Sequence, residues 1–180
     1  MAFNERYSDH DYECTEDSKH EVTSTWPEYM DSSKQRLFII ERSKNANLVV
    51  YYLNFEDDGS LNEKEPVRVQ WESFGWTDQP TSNGISWLEK KAAYGFSSVK
   101  VGDDEYELTL VALPQRKATL KRTAQGEYAV YLTIDSKEVI LRKLYVSTTQ
   151  GFVGLPKVHY VDLFGHIDGS AELCRERITP

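Results

Sequence analysis

Residues able to do chemistry are few and scattered in this 180-residue chain. The histidines are His10, His20, His159 and His166, and the cysteines are Cys14 and Cys174. His166, Asp168 and Ser170 stand close together, but a hydrolytic triad is assembled by convergence in space. Adjacency along the chain describes a polar turn equally well. There is no GxSxG, HExxH, GxGxxG or P-loop signature, and no Cys-x-x-Cys or Cys/His cluster of the kind that builds a structural zinc site. The expectation is a protein that is not an enzyme and carries no cofactor and no resident metal.

The most patterned segment runs from Asn54 to Glu65. Counted as a twelve-residue calcium loop, it places Asn54, Glu56, Asp58, Asn62 and Glu65 at ligand positions, with Gly59 at the sharp turn and Leu61 at the apolar slot. Its flanks, YYL and PVRVQW, read as strands, so the helix pair that preorganises such a loop is missing. An acidic hairpin with an Asp-Gly turn accounts for the same letters. Lys44, Arg68, Lys91 and Arg116 form a second candidate group, a phosphate or carboxylate site if the strands bring them together and solvated outward positions if they do not. Aromatic residues such as Tyr51, Trp71, Trp87 and Tyr94 read as core.

Cys14 and Cys174 lie near opposite ends of the chain, outside the segments that read as core. Unanchored thiols make poor nucleophiles, which need a fixed electropositive setting, but they are well placed to crosslink. The bond can close within one chain or link two, and two reduced, inert thiols are the plain alternative.

These residues need elements to hold them. Residues 1–34 precede the first leucine and isoleucine, are mostly acidic and polar, and read as an extended arm that Trp26, Pro27, Tyr29 and Met30 could dock on a body. Residues 35–167 read as one β-rich domain, and 168–180 as a C-terminal tail. The apolar runs from RLFIIERS to KVHYVDLF are strand-length and separated by Asn, Asp, Gly and Pro. In PVRVQWES, Val67, Val69 and Trp71 share one face. About nine strands result, in an all-β sandwich or flattened barrel. One short helix interrupts them, because Ser86-Trp87-Leu88-Glu89 spells a capping box and Gly95 supplies a stop.

Charge narrows the partners. The formal balance is −8, and residues 1–35 hold 3 basic against 9 acidic side chains, leaving 18 against 20 in the rest. No concentrated positive field exists for nucleic acid or an anionic membrane. The start MAFNERYSDHDYE lacks the apolar stretch of a secretory signal, so the bare chain reads as cytoplasmic.

The segments FIIERSKNANLVVYYLN, EPVRVQWESFGW, LEKKAAYGF, YELTLVALPQRK and LPKVHYVDLFG resemble a small family of uncharacterised domains of secreted or periplasmic bacterial proteins. The similarity covers about residues 36–166 and implies no catalytic residue. The same body with cysteine-bearing extensions is similar to a fungal protein that forms vacuolar crystals. That resemblance implies a structural protein whose partner is itself, assembling into a lattice in an acidic vacuole with Cys14 and Cys174 locking the contacts.

Overall fold

The computed structural model describes residues 35–42, 47–73, 81–150 and 156–179. The arm 1–34, with Cys14, and Lys44 lie outside them. The described residues form eleven strands: β1 (Arg36–Arg42), β2 (Asn47–Leu53), β3 (Val67–Ser73), β4 (Thr81–Gly84), β5 (Phe96–Gly102), β6 (Glu105–Leu110), β7 (Lys117–Arg122), β8 (Tyr128–Ile134), β9 (Lys137–Gln150), β10 (Pro156–His166) and β11 (Leu173–Ile178). Between β4 and β5 lies one short helix, α1 (Trp87–Glu89), which widens into a π-helical turn (Lys90–Tyr94).

The long strand β9 is the spine. Its first residues, Lys137 to Ile140, pair antiparallel with β8, and its next, Lys143 to Val146, pair parallel with β1 on the same edge. β10 runs antiparallel along the opposite edge and carries β11 outside it. Two wings therefore leave one spine, β8-β7-β6-β5 and β1-β2-β3-β4. They curl toward each other as a half-barrel, because each has one apolar face: Phe38, Tyr51 and Val67 from one wing meet Leu108, Leu120 and Leu132 from the other over Leu141, Leu144 and Leu163. The alternation expected in PVRVQWES is present, with Val69 and Trp71 packed against this core.

Hairpin turns fall where the turn residues stand. Asp135 and Ser136 both adopt positive φ, 47° and 60°, the geometry a two-residue turn needs to match the twist of its strands. The capping box at Ser86 forms as expected, Glu89 N–H donating to Ser86 Oγ and Ser86 N–H to Glu89 Oε2. Gly95 ends the helix for another reason than a left-handed cap, since its φ is −72°. It closes an i→i+5 bond onto the Lys90 carbonyl, and a Cβ there would lie 2.4 Å from that oxygen.

Two strands exceed the sequence reading. β4 is Thr-Ser-Asn-Gly, a turn composition held as a strand only by pairing with β3. β11 lies within 168–180, the expected tail, and that expectation is corrected: Leu173 to Ile178 pair residue by residue with Val161 to His166 of β10. Cys174 is accordingly not on a loose extension. It is 1% exposed and belongs to the main core.

Candidate interaction surface

The residues marked out by the sequence do not converge. In the Asn54–Glu65 hairpin two of the candidate ligands spend a side-chain oxygen on the turn itself. Asp58 Oδ1 accepts from Ser60 N–H and Oγ, and Asn62 Oδ1 accepts from the N–H groups of Lys64 and Glu65. Asn54 is buried, with its amide donating to the Glu65 carbonyl. The bond with Ser60 holds the Asp58 carboxyl below its usual range, which stabilises the turn without a cation. Among the described residues no three His, Cys, Asp or Glu side chains are grouped to hold a metal.

Of the expected anion site, Lys44 lies outside the described residues, and the other three cations are dispersed. Arg68 stands in register with Tyr52 on the outer face of β3, Lys91 lies 5.1 Å from the Trp87 ring, and Arg116 is paired with Glu176 of β11. His166, Asp168 and Ser170 make no relay. The His166 ring meets Arg142, Asp168 accepts from Tyr131 Oη at 2.8 Å, and Ser170 Oγ accepts from Glu172 N–H. Burial first, then the Arg142 charge, holds the His166 pKa below its ordinary value.

Behind these sites lies a buried ion network. Asp162, 2% exposed, accepts from Arg175 at 2.8 Å and from Arg177 at 2.7 and 2.8 Å. Burial alone would raise its pKa, but the two arginines outweigh burial and the net shift is downward. Glu176 behaves likewise through Arg116 and the Asp135 N–H. These contacts fix β11 to β10 and to the β6–β7 and β8–β9 turns.

What the fold leaves exposed is of a different kind. The wings do not close, and among the described residues β5, β4 and β11 each leave one edge of the sheet unpaired. β5 is seven residues long, and Val99 and Val101 on it are 59% and 56% exposed. The helix beside it exposes Trp87 and Leu88 by 72% and 67%. Between helix, β3 and β5 lies an open cleft of about 740 Å³ whose walls include Val69, Trp87, Phe96 and Val111 with Lys64 and Lys91 at the rim. The helix is anchored from below: Trp71 Nε1 donates to Glu89 at 3.2 Å, the Trp71 and Tyr94 rings meet edge to face at 5.1 Å, and Tyr51 Oη donates to the Tyr94 carbonyl at 2.7 Å. Trp87 and Leu88 are thereby presented outward on a fixed support. The sequence grouped Trp87 with the core aromatics; the structure corrects this, because Trp71 and Tyr94 occupy the inner side.

No described helix is long and apolar enough to cross a membrane. No curated protein and no solved structure matches the chain. A family model described as a domain of unknown function, DUF4833, matches residues 38–177, which spans the half-barrel from β1 into β11, and the chain belongs to that family.

Proposed function

We propose that this chain is a non-enzymatic structural protein that assembles with copies of itself into an ordered array. The observation that carries the reading is the free β5 edge bearing two exposed valines beside an outward-facing Trp87-Leu88 pair. An edge strand offers a row of unpaired N–H and C=O groups, and soluble domains blunt such edges with charge, bulges or cover. β5 carries one lysine, Lys100, engaged with Glu63 at 2.6 Å, and its register shift lies at the Lys100–Gly102 end, leaving Phe96 to Lys100 regularly paired. β5 against β5 of a second copy closes a dimer, whereas β5 against the β4 edge runs open-ended, and the helix adds a further contact. One β5 edge makes only one of these pairings at a time, and the helix contact then joins the resulting units to one another.

Supporting this reading is the similarity to octin, which builds the vacuolar crystals used as gravity-sensing bodies in Mucoromycota fungi. The charge supports it as well. The chain is −8 at pH 7 with a pI near 5.1, so repulsion between copies falls as pH drops toward that of an acidic vacuole. The inter-chain lock expected of Cys14 and Cys174 loses its premise, because Cys174 is buried and already disulfide-bonded. A disulfide-bonded cysteine also favours an oxidising compartment over the cytoplasm. In this proposal the array rests on non-covalent contacts.

Light scattering between pH 4.5 and 7.5 tests it. Scattering should rise steeply toward pH 5. Val99→Lys with Val101→Lys should abolish the rise in protein whose circular dichroism is unchanged. The control, Gln125→Lys with Ala171→Lys, adds the same charge on exposed loops away from β5 and should still assemble. A parent that stays monodisperse across the range, or a β5 variant that assembles like the control, refutes the proposal. A second reading, favoured by the cleft beside Trp87, is a domain that binds a small anionic ligand there. Titration calorimetry with phosphorylated aromatic compounds tests that reading.

A further inference from the structure

The outer face of the β1–β3 wing carries an apolar group that the described residues leave uncovered. Phe38, Ile40, Val49 and Tyr51 point into the main core, so Ile39, Val50 and Tyr52 point away from it. Yet these three are exposed by only 1%, 0% and 2%. Among the described residues Leu48 is the hydrophobic side chain packed against them. Side chains standing on a sheet are flanked by their neighbours but open above, and burial to this degree requires a second layer.

Glu72, in register with Leu48 on the same face, points to the same conclusion. It is 4% exposed; Oε1 accepts from the Tyr52 hydroxyl and from Gln70, while Oε2 has no partner. A buried carboxyl oxygen without a donor is costly, and its burial, like that of Ile39, Val50 and Tyr52, needs a second layer on this face. Arg36 and Arg68 stand in register on either side of Tyr52, giving the cover a positive rim.

Cys174 identifies the cover. It is disulfide-bonded, and the chain's one other cysteine is Cys14. β11 is an edge strand, joined to β1 across β10 and β9. The distance from β1 to β11 is three strand spacings, about 14 Å. Between residue 14 and residue 35 the chain can extend about 70 Å. The segment can therefore leave β1, cross the outer face and round the β11 edge with length to spare. Its apolar residues, Trp26, Tyr29 and Met30, lie within ten residues of β1, and its acidic excess, 9 against 3 over residues 1–35, matches the arginine rim.

We propose that residues 1–34 are the chain's own cover: Trp26, Tyr29 and Met30 lie over Ile39, Val50 and Tyr52, and Cys14 is bonded to Cys174 of the same molecule. The arm then protects the β11 edge, while β4 and β5 stay free. The inference does not depend on the assembly proposed above.

Two measurements on the full chain test it. Peptide mapping of the unreduced protein should find Cys14 joined to Cys174 in a species that migrates as a monomer in denaturant. Hydroxyl-radical footprinting should find Tyr52 protected in the parent. In Trp26→Ser/Tyr29→Ser/Met30→Ser, and in Cys14→Ser, it should be oxidised several-fold faster. Both perturbations leave every described side chain but Cys174 unchanged. Disulfide-linked dimers joining Cys14 of one copy to Cys174 of another would mean a second copy supplies the cover, and overturn the proposal. So would Tyr52 protection that survives both arm perturbations.

Discussion

Gly165→Ala measures how tightly the spine is packed beside the disulfide. Gly165 lies in β10 between Leu141 of β9 and Cys174 of β11, where the β9 pairing shifts register. A Cβ at this position would stand 2.7 Å from the Ile140 carbonyl oxygen and 2.7 Å from Val139 Cγ2. The first contact is backbone within a paired strand, and the second is a core side chain exposed by 0%. Neither gives way without moving β9. Overpacking of this kind costs about 1–3 kcal/mol, and the unfolded chain's lost freedom on Gly→Ala returns about 0.4–1 kcal/mol. The net is a loss of about 1–2 kcal/mol, and with a urea slope of about 2 kcal/mol per molar the midpoint falls by about 0.5–1 M. Urea titration followed by tryptophan fluorescence reads this directly. Gly84→Ala is the control, since a Cβ there meets nothing within 4 Å and its φ needs no glycine; its midpoint should hold or rise slightly. Equal midpoints for the two variants would refute the packing argument.

Two further outcomes are expected. Because His166 has a depressed pKa in the folded state, the unfolded chain binds more protons below about pH 6.5, so stability falls with acid there; His166→Gln should flatten the melting temperature between pH 6.5 and 5. Millimolar calcium should leave the melting temperature of the parent and of Asp58→Ala/Glu65→Ala unmoved relative to magnesium; a rise of several degrees in the parent alone would show that the hairpin rearranges around the ion.

The β class was legible because strand-length runs and turn residues repeat along most of the chain, and the helix because Ser86 and Glu89 are three residues apart. Local pattern could not show what depends on pairing partners. β4 has no strand composition and exists through Trp71 and its neighbours on β3. β11, Leu-Cys-Arg-Glu-Arg-Ile, reads as a charged tail because Arg175 and Arg177 face Asp162, a carboxylate thirteen and fifteen residues away in sequence that reads as solvent-bound until the strands meet. The parallel pairing of β1 with β9 joins residues about a hundred positions apart and leaves no trace in either strand. The candidate sites failed for a related reason. Each was a set of suitable residue types, and the fold gave several of them separate local partners: Ser60 for Asp58, Glu176 for Arg116, Trp87 for Lys91. The exposed β5 edge carried a signal only in retrospect, since FSSVKV reads the same whether its last neighbour is a strand or water.

The proposed self-assembly in acid would set two requirements that usually conflict, and the charge arrangement separates them. Contact between copies needs the surface to lose net negative charge, which protonation of exposed carboxylates supplies as pH approaches the pI near 5.1. Integrity of the fold needs the carboxylates that tie β11 to the body to stay ionised over the same range. Asp162 and Glu176 have depressed folded-state values, so their contribution is complete above the ordinary carboxylate pKa of about 4 and is lost only as pH falls through the lower folded values. The window between neutralising the surface and breaking the ion network therefore lies around pH 5. The free edges do not lie where the network acts. Asp162 with Arg175 and Arg177 fixes β10 to β11, at the far side of the spine from the ends of both wings, where β4 and β5 remain open. Titration that makes the open edges approachable thus leaves the strand holding the disulfide in place.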